Sequence, residues 1–413
     1  MTETVVSNYP FLTAEIAGIG GVIKVCEKDF QVEEIPLYPA SGQGTHVYAL
    51  MEKKGLSTMD ALHKIARGLG IAARDIGYAG LKDAYAITRQ WISVEHIEPQ
   101  RLEQLEIPNV KILETTRHTN KLKISHLQGN RFVIRVREMR VPLAQVQRQA
   151  QAVLEVLGRR GVPNYFGPQR FGNRSDTHKL GKAMVTGEYE LFMDLFLGQP
   201  RPEDGPNEVQ ARNYYDQGDY EKALACWPGH FRDHRRALSA LLQRKGNKKA
   251  ASHAVDKNLK RLFVSAFQSE IFNRVVVARM PDVDRLLTGD MAYKHENGAC
   301  FRVEDAQAEQ GRCDRFEISP TGPLLGKHMT EATGPAGEIE KKALAETEMT
   351  ASLLEKIDQY RLRGGRRPLR FQPHQVQVSS GVDPLGEFLE LRFELDSGCY
   401  ATTLLQEIMK SAV

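Results

Sequence analysis

The sequence predicts an α+β protein in which a sheet-based domain is interrupted by a helix-rich one. Three observations indicate this arrangement. The N-terminal part of the chain contains short runs in which apolar and polar residues alternate, as strands with one buried face do. From about residue 189 the apolar residues instead recur at helical spacing. Alternation returns at residues 388–395, before a final helix at residues 400–409, so a late strand would complete a sheet begun early.

The composition is that of a folded globular protein. The chain has 413 residues, of which 41% are hydrophobic and 26% charged, and this length allows roughly two to three domains. The formal net charge of +4 is compatible with an anionic partner but does not require one. Nothing in the sequence indicates an obligate protein partner.

Cysteine usage and hydropathy indicate a reducing, cytoplasmic setting. The five cysteines are scattered and form no Cys-x-x-Cys pair, which argues against a disulfide framework or a four-ligand zinc site. The first basic residue is Lys24, so the positive region of a secretory signal is missing. No window approaches the ~18 uninterrupted apolar residues of a membrane helix, and no membrane association is expected.

The N-terminal segment predicts strands followed by one helix. Alternation marks strands at residues 22–25, 28–36 and 46–51. Lys24 points away from the apolar face of the first strand. Ser57 is a predicted N-cap, apolar residues follow it at helical spacing, and Gly70 is a plausible helix stop.

Residues 77–93, GYAGLKDAYAITRQWIS, contain the principal candidate for a catalytic group. They predict strands at residues 76–79 and 86–94, joined by a loop that carries Lys82 and Asp83. A carboxylate on a loop between strands is held rigidly and can still face a cleft. An aspartate in such a turn also commonly accepts hydrogen bonds from backbone amides, so the local sequence leaves both roles open.

Basic and aromatic residues offer two kinds of RNA contact. The strand at residues 131–137 has an apolar face and an opposite face with Arg131, Arg135 and Arg137. These arginines could contact an RNA backbone or simply be solvated, and further basic residues gather at 232–249 and 361–370. The loop at residues 163–172, PNYFGPQRFG, combines aromatic rings with polar donors, as recognition of an unstacked base requires. Packing of those rings on their own core is the alternative.

Three residues have a spacing that a metal site could use. Cys226, His230 and His234 are spaced four residues apart, a spacing that could place ligands on one helix face. Pro228 and Gly229 break the helix that would align them. The sequence therefore predicts no metal.

Six segments together resemble the TruD family of tRNA pseudouridine synthases. They occur in the family's order, span residues 22 to about 409, and read KDFQVEEIP, GLKDAYAITRQ, RHTNKLKISHLQGNRF, GVPNYFGPQRFG, SAFQSEIFN and CYATTLLQEI. The resemblance implies a pseudouridine-synthase fold with a mixed, largely antiparallel sheet. It places the catalytic domain at residues 1–189 and 372–413, and a helix-rich inserted TRUD domain at residues 190–371.

The resemblance also implies an activity. The expected reaction is isomerisation of a uridine in tRNA to pseudouridine without a cofactor, at uridine 13 in the D-arm region for bacterial members. Asp83 matches the catalytic aspartate, acting as nucleophile or base, and Lys24 matches a motif lysine that would keep it ionised. The positions that match substrate contacts are Phe30, Asn164 and Tyr400, with Phe166 and Arg170 as further candidates for packing and phosphate contact.

Two other classes of function remain open from the sequence. One is an RNA-binding or RNA-chaperone protein with a vestigial pocket, although such a binder has no need of Asp83 and Lys24 together. The other is a glycoside hydrolase, which requires a second carboxylate beside Asp83.

Overall fold

The computed structural model describes residues 9–349 and 351–411, which form two compact units. The first, called the sheet unit here, comprises Thr13–Val162 and the chain from Phe371 onward. The second, called the helical unit, comprises Pro163–Arg370 and the chain up to Leu12. Within the described residues, no helix combines the length and apolar character needed to cross a membrane.

The regular elements are numbered in chain order. The strands are β1 Gly20–Val22, β2 Phe30–Pro36, β3 His46–Lys54, β4 Gly77–Tyr78, β5 Ile87–Glu95, β6 Val110–His118, β7 Leu127–Met139, β8 Val162–Pro163, β9 Met291–Lys294, β10 Cys300–Arg302, β11 Ile318–Leu324, β12 Gly365–Pro368, β13 Arg370–Phe371, β14 His374–Asp383 and β15 Gly386–Asp396. The helices are α1 Thr58–Leu69, α2 Pro99–Glu103, α3 Leu143–Arg160, α4 Thr177–Thr186, α5 Tyr189–Leu197, α6 Pro206–Asp216, α7 Tyr220–Cys226, α8 Arg232–Gln243, α9 Lys248–Ser252, α10 Lys257–Arg279, α11 Ala306–Asp314, α12 Gly334–Ala345, α13 Ala351–Asp358 and α14 Ala401–Met409.

The sheet unit is built on one mixed sheet. Its strand order is β14-β15-β7-β2-β5-β3-β6, with β1 added beside β7 and β4 beside β5. The pairing of β2 with β5 is parallel, and the other pairings in this sheet are antiparallel. The late strand β15 pairs with β7, so residues far apart in the sequence share one sheet. The predicted α+β class with a mixed, largely antiparallel sheet is confirmed.

Helix α1 covers one face of this sheet and shows how local sequence specifies the element. The Ser57 side chain accepts a hydrogen bond from the Asp60 amide at the helix start. Gly70 ends the helix in the left-handed region, at φ 73°, which glycine adopts without a steric penalty. Leu62 and Ile65, on the inner face of the helix, are fully buried against β3 and β5. Both predicted ends of the helix are therefore confirmed.

Strand β7 alternates as predicted, and its arginines are paired within the sheet. Arg137 is 2% exposed and binds both carboxylate oxygens of Asp29, at 2.8 Å each. It also donates to Asp383 at 2.7 Å. Arg135 pairs with Glu390 at 2.8 Å, and Arg131 pairs with carboxylates on two neighbouring strands. Cross-strand charge pairing therefore accounts for the arginine-rich face that suggested an RNA contact.

The helical unit is centred on α10. Its buried residues pack against α4, α5 and α8 in one apolar cluster, and β9, β10, β11 and β12 form a separate antiparallel sheet. Gly181 on α4 faces the α10 backbone so closely that a Cβ there would clash with the Phe263 carbonyl. This compact unit includes α4, whereas the predicted domain boundary at residues 189/190 falls at the start of α5. The assignment of a catalytic and an inserted domain stays a prediction.

Candidate active site

Asp83 lies on the loop between β4 and β5, where the sequence predicted it. The two strands pair antiparallel, with Tyr78 opposite Ile92, so both ends of the loop are anchored in the sheet. The Asp83 side chain is 36% exposed. The carboxylate is thus fixed at its base and open to solvent, an arrangement that suits a group that must meet a substrate.

Polar side chains from α1 and β5 hold the loop from beneath. Thr58, the first residue of α1, accepts a hydrogen bond from the Lys82 main-chain amide at 2.9 Å and donates to the Gln90 side-chain oxygen Oε1 at 3.0 Å. The Gln90 side-chain amide donates to the Gly80 carbonyl at 3.1 Å. Thr58 and Gln90 are both buried, so water does not compete for these bonds and the loop conformation is well determined.

Lys82 does not pair with Asp83. Its ammonium lies 3.0 Å from Glu34 Oε2, and the exposed fractions of the two side chains are 5% and 0%. Burial raises the pKa of Glu34 above its ordinary value, although the charge of Lys82 acts in the opposite direction. The buried Lys82–Glu34 ion pair attaches the loop to β2. Because Lys82 is engaged in that pair, a different cation faces Asp83.

That cation is Lys24, whose Nζ lies 3.5 Å from Asp83 Oδ2. The same ammonium sits 4.2 Å from the centre of the Phe30 ring, a cation–π distance. The predicted strand at residues 22–25 is wrong, because β1 ends at Val22 and Lys24 adopts a left-handed conformation with φ 59°. The chain turns there towards a short 3-10 helix, Glu27–Asp29, and this turn directs the lysine to the loop.

Two residues of β7, Phe132 and Asn130, lie beside Phe30 and Glu34 of β2, and the sequence had assigned neither a functional role. Phe30 is 3% exposed, and its ring makes an edge contact with Phe132, at 6.4 Å between ring centres. Asn130 lies opposite Glu34 in the β2–β7 register, and its Oδ1 is buried without a hydrogen-bond partner among the described residues. Asn130 precedes Phe132 by two residues and therefore shares its strand face. A polar amide on this mainly apolar face was the signal available in the sequence.

Tyr400 belongs to the sheet unit and immediately precedes α14. It is partly exposed, and its carbonyl accepts hydrogen bonds from the Thr403 amide and hydroxyl, at 3.2 and 2.7 Å. The start of α14 therefore fixes the backbone of Tyr400.

Asn164 belongs to the helical unit, and its side chain is engaged there. It is 2% exposed, and its Nδ2 donates to the Pro368 carbonyl at 2.9 Å. Its Oδ1 accepts a hydrogen bond from the Arg367 guanidinium. A contact between this amide and a substrate would require these bonds to be exchanged.

Phe166 and Arg170 are likewise packed within the helical unit. The Phe166 ring is 8% exposed, contacts Phe272 edge-on at 5.5 Å, and lies 4.3 Å from the Arg367 guanidinium. Arg170 donates to the Ser269 hydroxyl at 3.0 Å. The aromatic loop thus packs on its own core, and any role for these residues in binding stays a prediction.

His234, one of the three residues spaced for a possible metal site, is packed against an aromatic ring. The His234 ring stacks on Phe196 at 4.1 Å, and burial lowers the pKa of His234 to about 3. In the part of the chain that the structure describes, no three His, Cys, Asp or Glu side chains are grouped as a metal site requires.

A model of the tRNA pseudouridine synthase D (TruD) family matches residues 7–408. The chain belongs to the TruD family. It is 45% identical over 401 residues to a Geobacter sp. (strain M21) protein named tRNA pseudouridine synthase D, covering 97% of this chain and 99% of the relative. The same name is given to a Geobacter sulfurreducens relative, 44% identical over 97% of this chain and 96% of its own.

A solved TruD-family structure has the same fold over nearly the whole length of this chain. It is the crystal structure of a Methanosarcina mazei protein assigned as tRNA pseudouridine synthase D. The two chains are 28% identical and superpose with a TM-score of 0.83, covering 97% of this chain and 96% of the other. The predicted family, and with it an enzyme of the isomerase class, is confirmed.

Proposed function

We propose that this chain is a tRNA pseudouridine synthase that acts on uridine 13 in the D-arm, with Asp83 as its catalytic carboxylate. One observation carries the proposal: a partly exposed carboxylate stands on a firmly held loop with an ammonium 3.5 Å away. The names of the TruD relatives support the substrate class. The ion pair distinguishes Asp83 from an ordinary turn aspartate, whose oxygens would be directed at backbone amides.

The reaction is an isomerisation, and it requires little beyond one carboxylate. The N1–C1′ glycosidic bond breaks, the uracil rotates, and a C5–C1′ bond forms, while C5 loses a proton and N1 gains one. Asp83 can attack C1′ as a nucleophile or remove a proton from the sugar in a glycal route. Either role requires the ionised carboxylate.

Lys24 supplies the positive charge that compensates the Asp83 carboxylate when bound RNA excludes water. An uncompensated carboxylate in such a setting is disfavoured. Phe30 contacts the Lys24 ammonium through its ring. Because Phe30 is 3% exposed, its contact with a substrate would require neighbouring side chains to move.

Lys24→Met is expected to lower kcat by about 10²-fold, a common effect of removing one electrostatic contact from an active site. Affinity for tRNA should change little, because one of many cationic side chains is removed. Single-turnover rates and filter binding at fixed salt would measure the two effects separately. Normal turnover in the variant would remove Lys24 from the site, and Lys28→Met, at an exposed position nearby, is the control.

The target base must leave its stack before it can react, at a cost on the order of a few kcal/mol. Phe30 and Tyr400 would offset this cost through apolar and aromatic contact with the uracil. Asn164 would supply hydrogen bonds, Phe166 packing and Arg170 a phosphate contact.

If Tyr400 acts by stacking, Tyr400→Phe is expected to retain kcat/KM within about threefold, and Tyr400→Ala to lose about 5- to 150-fold. Base–aromatic stacking is worth about 1–3 kcal/mol, which corresponds to this loss. Initial rates at subsaturating tRNA would measure both variants. Equal losses would assign the role to the hydroxyl instead.

The proposed function is tested with an unmodified tRNA transcript and a matched transcript that has cytidine at position 13. After incubation with the protein, pseudouridine is mapped at single-nucleotide resolution. Pseudouridine at position 13 of the first transcript only is the expected result. Modification at another uridine would change the assigned position, and binding without any modification would favour an RNA-binding protein with a vestigial pocket.

A further inference from the structure

Lys53 lies on the face of a strand whose other inward side chains are apolar. Strand β3 directs alternate side chains towards α1, and those at this face are fully buried: Val47, Ala49, Met51 and Lys53. Lys53 therefore continues an apolar row with an ammonium that is 0% exposed. Burying a cation disfavours folding unless its charge is compensated, so the position indicates a specific task.

Two main-chain oxygens receive the Lys53 ammonium. Its Nζ donates to the Leu56 carbonyl at 2.7 Å and to the Asp83 carbonyl at 2.6 Å. Leu56 directly precedes the Ser57 cap of α1, so one side chain joins the end of β3, the start of α1 and the Asp83 loop. Hydrogen bonds from a charged donor are among the stronger ones in proteins.

The bond to Asp83 reaches the residue that carries the candidate catalytic carboxylate. An aspartate has one methylene between backbone and carboxylate, so a fixed main chain leaves χ1 as the main freedom of that carboxylate. Lys82 fastens the preceding residue through Glu34, but it makes no contribution at the Asp83 carbonyl. The position of the Asp83 main chain therefore depends on Lys53.

We propose that Lys53 is a positioning residue for the isomerisation, whose buried ammonium holds the main chain of Asp83 so that the carboxylate keeps its place beside Lys24. The proposal rests on the proposed role of Asp83. Displacing a reacting group by about 1 Å can slow catalysis by about 10²-fold, so a positioning residue that touches no substrate can still affect kcat strongly.

The decisive comparison is Lys53→Met against Lys54→Met. The two substitutions are chemically the same and adjacent in sequence, but Lys54 is exposed. Lys53→Met is expected to lower kcat for tRNA by 10- to 100-fold with KM changed less than about twofold, and Lys54→Met to change neither. A kcat of Lys53→Met within about twofold of the control would overturn the proposal.

The pH dependence of kcat tests whether Lys53 acts through its positive charge. Burial lowers the pKa of Lys53 to about 8, with the Asp83 charge opposing and the Lys82 charge assisting the shift. The positive charge of Lys53 is therefore lost as pH rises through about 8. The ratio of the wild-type kcat to the Lys53→Met kcat should consequently fall towards one between pH 7 and 9. A pH-independent ratio would overturn the role of the charge. If Lys53→Met does not fold, Lys53→Gln and Lys54→Gln replace the pair in the same assay, with the same expected and contradicting outcomes.

A parallel assay of Asp83→Asn keeps the two proposals distinguishable. An active Asp83→Asn would remove the proposed catalytic function itself. An inactive Asp83→Asn together with a fully active Lys53→Met would leave that function standing and reject only the role of Lys53.

Discussion

Asp83→Asn is expected to abolish pseudouridine formation while tRNA binding persists. The substitution keeps the size of the side chain and its place on the loop, but the amide is neither a nucleophile nor a base. Loss of a catalytic base typically slows a reaction by about 10²–10⁴-fold, and loss of a nucleophile by up to about 10⁶-fold. Single-turnover assays with tRNA in the presence of excess enzyme would measure the loss.

The size of that loss also bears on the route. A reduction beyond about 10⁴-fold exceeds what general base catalysis normally contributes and favours attack at C1′. Asp75→Asn is the matched control, because Asp75 is an exposed aspartate just before β4. Turnover by Asp83→Asn within about tenfold of wild type would show that the carboxylate is not catalytic.

Arg137→Met is expected to lower the free energy of unfolding by about 3–5 kcal/mol, the usual effect of removing one partner of a buried ion pair. Asp29 is 0% exposed and would lose its principal hydrogen-bond and charge partner. Denaturant unfolding followed by circular dichroism would measure the change. Arg131→Met is the control, because its side chain is 51% exposed and exposed pairs contribute about 0–1 kcal/mol.

The effect of Arg137→Met should depend on pH in a defined direction. Hydrogen bonds from Arg137 lower the pKa of Asp383 from 3.8 to about 2 in the folded protein. The stabilisation from this pair is therefore present above pH 3.8 and is lost as pH falls through about 2. The stability difference between wild type and variant should narrow over that interval. A difference that is constant down to pH 2 would show that Asp383 does not contribute.

Elements with a local signal were predicted well from the sequence. The cap and stop of α1 and the alternation of β7 depend on neighbouring residues alone, and the structure has both. Strand β14 was not predicted, although Val376, Val378 and Val382 alternate with polar or small residues. The strand is largely exposed along its length, so this alternation does not mark a buried face.

The partners of buried polar groups could not be predicted in the same way. Asn164 and Arg367 are 203 residues apart in sequence, so no local pattern shows that the Asn164 amide is already engaged. Lys53 interrupts an apolar row visibly, but only the structure identifies its acceptors as Leu56 and Asp83. The left-handed turn at Lys24 is equally invisible to a pattern of alternation, because a lysine has no preference for it.

The bonds that hold the Asp83 loop all lie on its inner side. They involve Gly80, Lys82 and Asp83, whereas the Leu81 side chain between them is 67% exposed. The Leu81 side chain can therefore be replaced without breaking any of these bonds. We expect Leu81→Ala to keep the kcat of the wild type, whereas a substitution that breaks one of the inner bonds should lower it.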